Sequence, residues 1–208
     1  MPNSRSRSLH RSPTALAGLL VAIAAAGCAH GGVWRSVKRV PPDALVLPVK
    51  GLRQTGSQCG PTALATLLRA VNDPVSEKEV ADQIQDSRLD RALTLDLVLY
   101  ARARGHAARF RSASVPELMS SLSAGHPALL LIDLSAATRL PTGKLWHYVV
   151  AYGFSRTKRV VFVHSGVGEK TMTFERLERA WAPSGFWLMD LESPMPSDVW
   201  GATGDWRE

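Results

Sequence analysis

Near residue 128 the hydrophobic period of this chain changes. Before it, apolar residues recur at helical spacing; after it, they fall in short runs of strand length. The helix beginning at Cys59 carries Leu64, Leu67, Leu68 and Val71 on one side, with Pro61 in its first turn, where a missing N–H costs nothing. Asn72-Asp73-Pro74 ends it. Ser76 and Glu79 form a capping box inside the hydrophobic pair Val75 and Val80, which predicts a helix to about residue 85. A further helix follows Thr94 and stops at Gly105. A short strand is expected over 106–110. Ser114, Pro116 and Glu117 then start a helix to about residue 123. Strands are expected over 128–132, 146–152 and 159–163, the last two joined as a hairpin, then over 171–174 and 186–190, with a helical turn at 177–181. Helices first and antiparallel strands second argue for an α+β domain over alternating βαβ units.

Basic residues Arg5, Arg7 and Arg11 precede an apolar run from Thr14 to Gly27. That run is shorter than the roughly 20 residues that span a bilayer, and fits the apolar region of a secretory signal. Its end, Ala25-Ala26-Gly27-Cys28, resembles a bacterial lipobox, in which the cysteine is acylated and becomes the mature N-terminus. The alternative is an ordinary signal cut near Ala26. The expected organisation is a lipoprotein-type signal over 1–27, a tether over 28–44, one domain over 45–192 and a loosely ordered tail over 193–208. The location that follows is an outer-membrane lipoprotein facing the periplasm.

Cys59 sits where a loop becomes a helix. A helix start offers unpaired N–H groups and the positive end of the macrodipole. The expectation is a thiol with lowered pKa and a larger share of nucleophilic thiolate. A lone cysteine is otherwise often a small buried apolar residue. A Cys28–Cys59 disulfide is open to an exported protein. If Cys28 carries lipid, however, Cys59 has no partner within the chain.

A cysteine nucleophile needs a base, and the base needs an orienting group. His10 falls in the signal and His30 in the tether, while His106 and His126 read as surface residues. His164 ends a strand. His147 opens the strand Trp146-His147-Tyr148-Val149-Val150, a rigid mount whose side-chain direction the sheet sets. A strand histidine is also a common packed residue; Cys59 favours the functional reading. Asp133, at another strand end, is a candidate orienting acid.

The run Gln54-x-x-x-x-Cys59-Gly60-Pro61-x-Ala63-Leu64, then His147-Tyr148-Val149-Val150-x-x-Gly153, then Val160-Val161-Phe162-Val163, resembles the bacteriocin-processing, double-glycine-leader cysteine peptidases and their stand-alone periplasmic relatives. The resemblance covers about 45–190. It implies a papain-like fold, with the helical half packed on a C-terminal antiparallel sheet. It makes Cys59 the nucleophile, His147 the general base and Gln54 the oxyanion-hole donor beside the Cys59 N–H, with Gln58 as the alternative donor. The family places an Asp just after the strand that follows the histidine strand. Here that position is Ser165, or His164 if the register moves by one. A serine hydroxyl accepts a hydrogen bond from imidazole but stabilises its charge less than a carboxylate does.

The implied function is a membrane-anchored cysteine peptidase acting on a peptide or protein. The competing readings are an acyl- or amide-transferring enzyme on the same fold and a catalytically weak binding module. The 208 residues carry a net charge of +7, and +4 remains once the three N-terminal arginines are removed. With no clustered basic stripe interleaved with aromatics, no nucleic-acid partner is expected. Gly166-x-Gly168-x-Lys170-Thr171 lacks phosphate-loop spacing, so no nucleotide is expected either. No cofactor and no metal site are expected. Trp146, Trp181 and Trp187 read as core residues, and Trp200 and Trp206 as a possible contact patch in the tail.

Overall fold

Among the described residues eight antiparallel strands form one sheet, and helices from the first half of the chain lie against it. The structure, a computed structural model, describes residues 34–37, 39–56, 58–84, 94–138 and 143–192. Cys28, the signal and tail segments, and Trp200 and Trp206 lie outside them.

In chain order the elements are β1 (Arg35–Ser36), β2 (Leu45–Val46), α1 (Cys59–Ala70), α2 (Glu77–Ile84), α3 (Thr94–Ala103), β3 (Ala108–Ser112), α4 (Val115–Ser123), β4 (Ala128–Asp133) and α5 (Leu134–Thr138). Then come β5 (Trp146–Ser155), β6 (Val160–His164), β7 (Glu169–Thr173), α6 (Phe174–Trp181), a 3-10 turn (Ala182–Ser184) and β8 (Trp187–Leu191). The sheet runs β1-β7-β6-β5-β4-β8-β3, and β2 pairs with the far end of β5. The α+β reading and the helix-to-strand order hold.

Local chemistry explains most boundaries. Leu64, Leu67 and Leu68 of α1 are fully buried, and Asn72 adopts the left-handed conformation (φ 65°) that stops the helix. Ser114 and Glu117 make both hydrogen bonds of a capping box. Ser76 accepts from the Glu79 N–H, but the Glu79 carboxylate pairs with Arg104 instead of closing a second box. His106 is tied in beside it, with Nε2 2.9 Å from Asp73 Oδ2, and is only partly exposed. Trp181 is wholly buried and donates to Trp187 O at 2.7 Å.

β1 and α5 were not expected. Residues 34–36 fall in the segment read as a tether, yet Arg35 and Ser36 pair with Thr171 and Lys170 at the sheet edge. A two-residue edge strand has no alternation to read. The short α5 exists because Asp133 Oδ1 accepts from Ser135 N, Ser135 Oγ and Leu145 N, closing a turn straight after β4. Trp146 also departs from the core reading: it is 37% exposed, with the Lys144 ammonium over its ring at 5.2 Å.

Candidate active site

Cys59 is the first residue of α1, and α1 packs on β5. Its thiol is free and partly buried against the His147–Tyr148 peptide, from which the Tyr148 N–H hydrogen-bonds to it. The N–H groups of Gly60 and of Cys59 itself also point at the sulfur. They are spare because the first intrahelical bond is Thr62 N to Gln58 O, at 3.0 Å, and Pro61 has no N–H. The sequence therefore placed the donors correctly. The resting pKa goes the other way: burial pushes the Cys59 thiol up, and the three backbone donors only partly offset it. A helix start lowers a thiol pKa when solvent reaches it; here the β5 wall removes that solvent.

His147 stands on β5, one residue before the donor that touches the thiol. Its Nε2 lies 2.9 Å from the Ser165 carbonyl oxygen. A carbonyl only accepts, so the ring proton is on Nε2 and Nδ1 is left as the basic nitrogen. Burial pushes the imidazole below its ordinary value of 6.5, and the bond to Ser165 pulls weakly upward. Trp34 covers the ring edge-on, centroids 6.2 Å apart at 63°.

The third position differs from the sequence expectation in its atoms. The Ser165 hydroxyl donates to Gly168 O at 3.2 Å, within its own turn, and the residue's backbone carbonyl faces His147. Ser165 thus meets His147 through its main chain and not through its side chain. Asp133 is taken up by its helix cap, as described above. His164 is a buried strand residue whose Nε2 lies 3.1 Å from the Gly51 N–H and 3.3 Å from Val49 O.

Gln54 is held beside the same turn. Its N–H donates to Gly166 O at 2.8 Å, and one amide hydrogen goes to Gly56 O at 2.7 Å. Gly166 has φ 75°, and a Cβ there would stand 2.7 Å from Gln54 Oε1. One turn, 165–168, thus holds both His147 and Gln54. Gln58 contributes its carbonyl to the start of α1, accepting also from Thr62 Oγ1 at 2.7 Å. Sequence reasoning missed Trp34, because nothing in a local pattern marks a residue that meets a site across the fold.

The profile of the Peptidase_C39 like family matches residues 46–188, more than half of the chain. Among solved structures the fold is similar to that of a protein from Bacillus anthracis classed as a C39-like peptidase. That match is 17% identical with TM-score 0.57, over 74% of this chain and 99% of that one. It is also similar to the peptidase domain of Streptococcus ComA, a bifunctional ABC transporter involved in a quorum-sensing pathway (18%, TM-score 0.55, 69% and 97%). A double glycine motif protease from an AMS/PCAT transporter, solved with its leader peptide, is similar as well (19%, TM-score 0.54, 73% and 95%). No curated protein matches the chain.

Proposed function

The chain belongs to the Peptidase_C39 like family, and on that premise we propose that it is a cysteine peptidase held at a bacterial membrane by lipid on Cys28. The observation that carries the peptidase reading is the thiol of Cys59 resting on the N–H that follows His147, whose proton is fixed on the far nitrogen.

In this reading Nδ1 of His147 takes the proton from Cys59 as Sγ attacks the substrate carbonyl carbon. The C–O π pair moves to oxygen, where the Cys59 N–H and the second amide hydrogen of Gln54 meet it. Collapse expels the amine, which leaves with the proton from Nδ1. Water, activated by the same nitrogen, then cleaves the thioester and restores the thiol. Because burial keeps both partners neutral at rest, His147 acts as a true general base, and a preformed ion pair is not required.

A peptide substrate is supported by the leader peptide bound to the similar transporter protease. The test is cleavage of a mixed peptide library, read by mass spectrometry. Cys59→Ala and His147→Ala should each abolish product; cleavage that survives Cys59→Ala would sink the reading. Cys28→Ser should move the protein from the membrane to the soluble fraction, and unchanged fractionation would remove the anchor.

The neutral resting pair, with a carbonyl facing His147 Nε2, also favours a second reading: a catalytically weak module that binds peptides. It predicts peptide binding without product in the wild type, with binding unchanged in Cys59→Ala.

A further inference from the structure

A second feature lies across the sheet edge, where the N-terminal segment crosses β6 and β7. It is a groove of about 800 Å³. Four cations from three separate stretches of chain converge on it: Arg35 and Arg39, Lys158 from the β5–β6 turn, and Arg176 from α6. No carboxylate among the described residues lines it. The nearby Glu175 is held by Arg159 at 2.6 Å, and Glu169 lies further along, in an adjoining pocket of about 250 Å³. Arg35, Arg39 and Lys158 have no carboxylate partner among the described residues.

Thr171 and Thr173 alternate on β7, so both side chains face the groove. Both hydroxyls are already engaged: Thr171 Oγ1 donates to Arg35 O at 3.3 Å, and Thr173 Oγ1 accepts from Arg176 N at 3.3 Å and hydrogen-bonds to the Glu175 carboxylate. Arg35, Arg39 and Lys158, three cations without a carboxylate partner around an open trough that Val37, Val160 and Phe162 also line, match the phosphates of a lipid surface better than a neutral or cationic ligand.

We propose that this groove docks the phosphate headgroups of an anionic membrane surface. The occupant follows from chain length. Seven residues lead from Cys28 to Arg35, which fully extended reach at most about 25 Å. On the reading that Cys28 carries lipid, the groove is held within that distance of the bilayer, so even weak headgroup contacts become intramolecular and effective. A lipid at Cys28 alone leaves the body free to turn. The groove fixes one face toward the membrane, and Trp34, next to Arg35, ties that face to His147.

The test uses the mature chain beginning at residue 28 with Cys28→Ser, so it does not depend on lipidation; the described residues all fall in one compact unit. Sedimentation with phosphatidylglycerol–phosphatidylcholine vesicles should carry the protein down, increasingly so as salt is lowered, and pure phosphatidylcholine should not. Arg35→Glu with Arg39→Glu, and separately Lys158→Glu on the opposite wall, should weaken binding about tenfold or more, while Lys78→Gln on distant α2 should not. Unchanged thermal unfolding shows that the variants fold, and Lys158→Glu, in an exposed turn, carries the test if the double variant does not. Equal binding to both vesicle types, or groove variants that bind like wild type, would overturn the proposal. So would groove variants that keep vesicle binding but lose binding of an acidic peptide. Whether Cys28 is lipidated is read apart from this, by fractionation of the full chain.

Discussion

The Ser165 carbonyl oxygen accepts the Nε2 proton of His147 at 2.9 Å, while the Ser165 hydroxyl turns away to Gly168 O. The group that sets the imidazole tautomer is therefore main chain. Ser165→Ala should keep turnover within about threefold of wild type and lose on the order of 1 kcal/mol of stability with the hydroxyl's hydrogen bond. A steady-state rate assay beside urea unfolding checks both. A loss as deep as that of His147→Ala would show that the hydroxyl, not the carbonyl, matters.

Burial lowers the pKa of His147 and of His164 below 6.5. Below 6.5 the unfolded chain takes up protons on both rings while the folded one resists. Stability from these two groups is thus complete above 6.5 and falls as pH drops toward their folded values. Urea midpoints should fall between pH 7.5 and pH 5.5, a range above ordinary carboxylate titration. A flat midpoint over that range would contradict the burial account.

Trp34 supplies part of the cover that depresses the His147 pKa. Trp34→Ala should let water reach the ring and move the acidic limb of the pH–rate profile upward, toward 6.5. An unshifted limb with altered turnover would mean that the indole contacts substrate and leaves the titration alone.

Gly51 passes against the buried ring of His164: a Cβ at 51 would stand 1.8 Å from Nδ1. The ring has no room to retreat, being also 5.0 Å from Tyr152, centroid to centroid. Gly51→Ala should destabilise by about 1–3 kcal/mol, as overpacking does, read as a lower urea midpoint. An unchanged midpoint would show that the β6 end yields.

Local signals carried the order of helices and strands because caps, periods and turn residues are written within a few positions, as at Ser114–Glu117 and Gly105. Cys59 and His147 could be picked out as candidates because each sits in a patterned run. What was not legible depends on neighbours distant in sequence. The thiol pKa turns on the β5 wall, β1 on an edge offered by β7, and the third partner on a carbonyl that every residue type possesses. Side-chain identity at 165 could not reveal it.

The central claim is that Cys59 and His147 act as one unit. The most direct measurement is the rate of Cys59 alkylation by iodoacetamide against pH, in a Cys28→Ser background with and without His147→Ala. With Nδ1 accepting the thiol proton, the intact protein should react faster between pH 6.5 and 8, by on the order of 10²-fold. Superimposable rate profiles would contradict the account, leaving Cys59 a buried thiol that His147 does not assist.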